Sequence, residues 1–146
     1  MNSFQVFSAF RKDKSKVQLK ELLSSICDNS WVWSIYYFGG IGNGPDQLDI
    51  DQFSKLTKSK SGYLFEWLKI KSFADQIEDL WDCAIIANKN KNDQDHVNFE
   101  KRNFNSFEIA IEVFDSTEWL IWAQDQKVQE KMFNIGKFGL AAYKGQ

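Results

Sequence analysis

Residues Phe107–Ala123 constrain the fold of this chain more than any other stretch. Phe107, Ile109, Ile111 and Val113 fall on one side of a period-two pattern, with Glu108, Ala110 and Glu112 on the other. That alternation is the pattern of a half-buried strand. Asp115-Ser116-Thr117 supplies a turn, and Glu118–Ala123 (EWLIWA) returns as a strand apolar on both sides. An isolated hairpin is marginal in water, so this one needs partners to bury its apolar side. Trp31–Phe38 (WVWSIYYF) supplies one, because its apolar and aromatic residues occupy both faces and predict a central strand. Cys83–Ala87 (CAIIA) reads as a second strand of buried type, and Phe4–Phe10 as a short strand or ordered arm.

Helical spacing accounts for most of the rest. Val17, Leu19, Leu22, Leu23 and Ile26 predict a helix with Ser15 as its N-cap, broken by Asp28-Asn29-Ser30. Ile50, Phe53 and Leu56 predict another within Asp49–Lys60, with Asp49 or Asp51 near its start. Asp125 is placed to cap a final helix carrying Val128, Met132 and Ile135, with Gly136 as its stop and a packed tail beyond. Gly39–Pro45 (GGIGNGP) reads as a flexible loop. The dinucleotide fingerprint fails there because Pro45 stands where its third glycine belongs, and no GK[ST] follows for a phosphate loop.

Ser72–Asp82 (SFADQIEDLWD) reads as a central helix that begins at Ser72 or already near Glu66. Phe73, Ile77, Leu80 and Trp81 then form its apolar stripe, and Asp75, Glu78, Asp79 and Asp82 gather on the opposite face. Like charges at helical neighbour positions repel, each pair costing roughly 0.2–0.5 kcal/mol, which Lys71 offsets in part if the helix starts early. Charge held at such a cost suits the steering of a basic partner.

These elements predict one α+β domain over residues 1–146, with a mixed or antiparallel sheet of four or five strands and helices mainly on one face. Cys27 and Cys83 are too few for a disulfide framework or a zinc site, and both read as buried small hydrophobes. The first residues lack the order of a secretory signal, and no run approaches the ~20 apolar residues of a membrane span, so a cytoplasmic protein is expected.

Chemistry is sparse. His96 is the only histidine, and with Asp93 and Asp95 it lies in the polar connection Asn88–Ser106, where a solvated loop is expected in preference to a cation site. No nucleophile, metal or phosphate motif is present, which predicts a non-catalytic protein without cofactor or metal. A deep pocket converging His96 with two or more carboxylates would count against that expectation. With a net charge of -2 and tryptophans placed in strands, tight nucleic-acid binding is not expected either. The competing readings are a single-stranded nucleic-acid-binding domain with aromatic platforms and a small carboxylate-based hydrolase.

SFADQIEDLWDCAIIA, followed by FDSTEWLIWAQDQKVQEKMF, resembles the small cytoplasmic immunity proteins of bacterial contact-dependent inhibition and related polymorphic toxin systems. The similarity lies in Phe114-Asp115 ending a strand, the Trp119 to Trp122 strand, Asp125 capping a helix and Phe133 closing it. It implies a non-catalytic protein that binds and blocks a cognate toxin domain, often a nuclease. Together with the charge pattern, this places the expected interface on Asp75, Glu78, Asp79 and Asp82, with Gly39–Pro45 or Asp93 and Asp95 at its rim.

Overall fold

The computed structural model describes residues 3–90 and 96–144. In chain order the elements are β1 (Gln5–Ser8), α1 (Leu19–Leu23), β2 (Val32–Gly42), a 3-10 turn (Pro45–Gln47), α2 (Ile50–Leu56), β3 (Tyr63–Phe65), α3 (Trp67–Asp75), β4 (Ile77–Asn88), α4 (His96–Glu100), β5 (Ile109–Phe114), β6 (Glu118–Ala123) and α5 (Gln126–Lys144). The strands form one sheet in the order β1-β6-β5-β4-β2-β3, with every neighbouring pair antiparallel. The α+β class is as expected, but the sheet has six strands and not four or five. β3 is only three residues long, too short for alternation to declare it in sequence.

The hairpin forms as the pattern predicts, with Phe114 opposite Glu118. Asp115 and Ser116 both take the left-handed conformation, at φ 53° and 54°. They are the central pair of a turn closed by the Thr117 amide on the Phe114 carbonyl at 3.2 Å, and left-handed residues there match the right-handed twist of the strands. One sheet face packs Trp33, Ile35, Cys83, Ile85, Ile111, Val113, Trp119 and Ile121 against α1, α2, α3 and α5. The other packs Ala84, Ile86, Ala110, Leu120 and Trp122 under Phe99 of α4 and under Phe104 and Phe107. Helices therefore lie mainly on one face, and among the described residues only α4 lies on the second.

The central helix is the main correction. α3 starts at Trp67 with Glu66 as N-cap, the earlier of the two predicted starts, and ends at Asp75. Ile77–Asp82 is strand, and it pairs with Gly39–Gly42, the stretch expected to be a loop. The glycines make that pairing possible. A Cβ on Gly40 would collide with the Asp79 carbonyl, and one on Gly42 with the Gln76 carbonyl. Register shifts between Gly39 and Gly40 and between Ile41 and Gly42 mark bulges, where the period of two breaks. An apolar spacing of three and four residues therefore came from a bulged strand.

Three smaller expectations also change. α1 is capped by Gln18 and Glu21, not by Ser15. Gly136 does not stop the last helix, which breaks at Gly139 instead; the missing Cβ of Gly136 makes room for the Phe7 ring. Cys27 is exposed, while Cys83 is buried as expected. Asp49 and Asp125 do cap as predicted, accepting from the Gln52 and Lys127 amides at 2.8 and 2.9 Å.

Candidate functional site

Strand alternation places Tyr37, Ala84, Glu112, Leu120 and Val6 in one row across the second sheet face. The next row holds Gly39, Asp82, Phe114, Glu118 and Ser8. Aromatic rings cover only the far side of this face, around Ile86, Ala110 and Trp122. Phe114 is 66% exposed, Val6 44% and Trp81 37%. Trp81 lies against Gly39, where a Cβ would stand 2.7 Å from the indole nitrogen. The strip between them carries Asp82 and Glu118, and in the neighbouring row Arg102 is bound to Glu112 at 2.6 Å. Asp82 is half-buried and accepts from the Asp115 amide at 2.7 Å, which fixes the hairpin tip against β4. This is an aromatic and acidic surface carried by strands paired within the sheet.

The four predicted acids do not share a face. Asp75 ends α3, and Glu78 and Asp79 line a small cleft with Lys16 and Lys20 beside α1. Asp82 lies further along β4, held at the hairpin tip by the Asp115 amide. Lys16 donates to Asp79 at 2.6 Å and holds its carboxyl below the usual carboxylate range. The expected helical repulsion is therefore absent, because β4 separates the charges and Lys16 neutralises one. Asp93 and Asp95 lie outside the described residues. Among the described residues no group of His, Cys, Asp and Glu is placed to hold a metal ion.

His96 is more interesting than its sequence setting. It opens α4 and lines a cavity of about 310 Å³ with Tyr36, Tyr37, Phe99, Lys58, Ser59, Lys60, Glu100 and Glu112. This cavity does bring the histidine near two carboxylates, the arrangement that counts against a non-catalytic reading. Both Glu112 oxygens are engaged, however. One accepts from the Tyr37 hydroxyl at 2.7 Å and the other from Arg102. A carboxylate bonded on both oxygens anchors the sheet face more readily than it accepts a substrate proton. Sequence reasoning missed Tyr36 and Tyr37 as surface-forming residues. The bulge between Ile35 and Tyr37 turns both rings to the second face, which period-two counting cannot anticipate.

Burial, reinforced by the charge of Glu112, pushes the Tyr36 hydroxyl far above the usual phenol range. Burial and the bond to Glu112 do the same for Tyr37, and burial with the Asp46 bond raises Tyr63 to about 12. Above the unfolded phenol pKa of ~10, the unfolded chain loses protons that these folded tyrosines keep. Stability is thus complete below that pH and falls as pH rises past it. In an alkaline titration, the phenolate absorbance of Tyr36 and Tyr37 is expected only together with loss of the far-ultraviolet circular dichroism. Ionisation of all four tyrosines before any unfolding would contradict the burial of this pair.

No family model matches this chain, and neither a curated protein nor a solved structure matches it.

Proposed function

We propose that this chain is a non-catalytic immunity protein, acting in the cytoplasm, that binds and neutralises a cognate toxin domain with a basic surface. The observation that carries the reading is the open strip of the second sheet face. Phe114, Trp81 and Val6 stand exposed there among Asp82 and Glu118. Exposed aromatics on a rigid frame are the residues that dominate binding energy at protein interfaces. The surrounding acids select a basic partner and raise its association rate. If that partner is a nuclease, the acids meet the cations that otherwise hold phosphate. Relative to the sequence-based expectation, Asp82 keeps its place in the interface, and Asp75, Glu78 and Asp79 move to its margin or beyond.

The test is co-purification with the product of the adjacent upstream gene, followed by variants. Phe114→Ala with Trp81→Ala is expected to weaken binding at least ~100-fold, mainly through faster dissociation. Asp82→Asn with Glu118→Gln is expected to cost about tenfold at low salt, mainly through slower association. Asp75→Asn with Glu78→Gln serves as the control and leaves binding unchanged. Binding lost in the control but kept in the aromatic pair would move the interface to the α3–β4 corner. Absence of any complex with that product would remove the immunity reading.

A further inference from the structure

We propose that the cleft between α4, β2 and the turn after α2 is a binding site for a small planar ring carrying an anionic group. This inference is independent of the immunity reading. Its walls are aromatic. Phe99 meets Tyr36 edge-on at 5.0 Å, Tyr37 meets it edge-on at 6.0 Å, and the His96 ring lies 6.0 Å from it. The volume of about 310 Å³ lies at the lower end of the range for small-molecule sites. Rings set around a gap of this size offer stacking and edge contacts to a flat guest.

The charges choose the guest's sign. Arg102 answers Glu112, which among the described residues leaves Lys58 and Lys60 against Glu100 at the cleft. Both lysines are exposed, and neither is in an ion pair with a described residue. The turn that carries them is fastened to the sheet. The Ser34 hydroxyl of β2 donates to the Ser61 carbonyl, and Ser59 donates to the Gly62 carbonyl at 2.7 Å. Gly62, at φ +71°, packs where a Cβ would collide with Ser34 and the Ile35 carbonyl. The two ammonium groups are therefore presented from an anchored turn. The Tyr36 hydroxyl is buried in the cleft wall and bonded to no described residue, which leaves an unused donor directly beside the guest's place. A bare cation would be repelled by the lysines, and a bare anion would leave the rings unused.

The chain's single histidine makes the test direct, because the two imidazole C–H signals to follow by NMR during titration both belong to His96. The probes are adenosine 5′-monophosphate, 4-hydroxybenzoate, adenosine and inorganic phosphate. Saturable shifts are expected for at least one of the first two, with a dissociation constant below about 1 mM. Adenosine, lacking the charge, and phosphate, lacking the ring, are expected to bind at least ~tenfold more weakly. Tighter binding of the monophosphate identifies a nucleotide-like guest, and tighter binding of 4-hydroxybenzoate an aromatic carboxylate. Lys58→Ala with Lys60→Ala, at exposed positions, is expected to weaken binding about tenfold, and Tyr36→Phe about fivefold. No saturable shift from either ring-bearing anion up to about 10 mM would overturn the proposal. So would binding that is undiminished in the double lysine variant.

Discussion

Replacing Arg11 with alanine is expected to lower the unfolding free energy by about 3–5 kcal/mol, because it breaks a buried charge pair and leaves several acceptors unpaired. The Arg11 side chain is 9% exposed and that of its partner Glu21 14%, at 2.9 Å. The guanidinium also donates to the carbonyls of Gly136 and Ile135, at 2.9 and 3.0 Å. Those carbonyls belong to the turn of α5 just before Gly139, whose φ of 84° and ψ of 164° are not helical. Regular helix geometry would pair them with the amides of Gly139 and Leu140, and the break removes that geometry. A cation at the end of a helical segment also meets the favourable end of its dipole. One arginine from the loop after β1 thus closes the helix, fixes α1 through Glu21 and ties both to the sheet.

Arg11→Lys keeps the charge but loses the fork, and is expected to recover less than half of the loss. Glu21→Ala leaves both carbonyl bonds in place and is expected to cost less than Arg11→Ala. Urea denaturation measures all three, and a fall in melting temperature of roughly 10 °C for the alanine variant corresponds to the expected range. A change below about 1 kcal/mol would mean that water satisfies the carbonyls as well as the guanidinium does.

Trp33→Ala is expected to cost a further-reaching 3–5 kcal/mol or so, the scale of a large aromatic deleted from a core that cannot collapse around the gap. Trp33 is fully buried and stacks on Trp67, with ring centres 5.2 Å apart. Its indole donates to Asn29 and that of Trp67 to Asp28, each at 3.1 Å. The two rings therefore hold the loop between α1 and β2 as well as filling the core. Trp33→Phe keeps a ring on Trp67 but removes one of the two hydrogen bonds that the Asn29 side-chain oxygen accepts, and is expected to cost less than Trp33→Ala. Equilibrium unfolding with an unchanged denaturant slope is the measurement. A cost under about 2 kcal/mol for Trp33→Ala would show that the loop relaxes into the cavity.

How much of this was legible beforehand depended on whether the signal was local. The alternation of Phe107–Val113, the apolar run of Trp31–Phe38 and the caps Asp49 and Asp125 each act within a few residues, and each formed the element it predicted. The aromatic and acidic strip was not legible. Phe114 and Trp81 are far apart in sequence, and only the strand register brings them to one face with Val6 and Asp82. The cleft around Tyr36 was hidden for the same reason, since His96 and Lys58 reach it from separate segments.

The sequence by itself determined the α+β class, the hairpin, most of the apolar core and the caps Asp49 and Asp125, because propensity, period and capping are properties of neighbouring residues. Tertiary structure decided what Ser72–Asp82 becomes. Its apolar spacing fits a helix face as well as a bulged strand, and nothing within the stretch separates the two. The decision came from Gly39, Gly40 and Gly42, which let β2 approach closely enough to pair with Ile77–Asp82 and draw it out of the helix. That pairing scattered the acids and opened the strip on which the proposed function now rests.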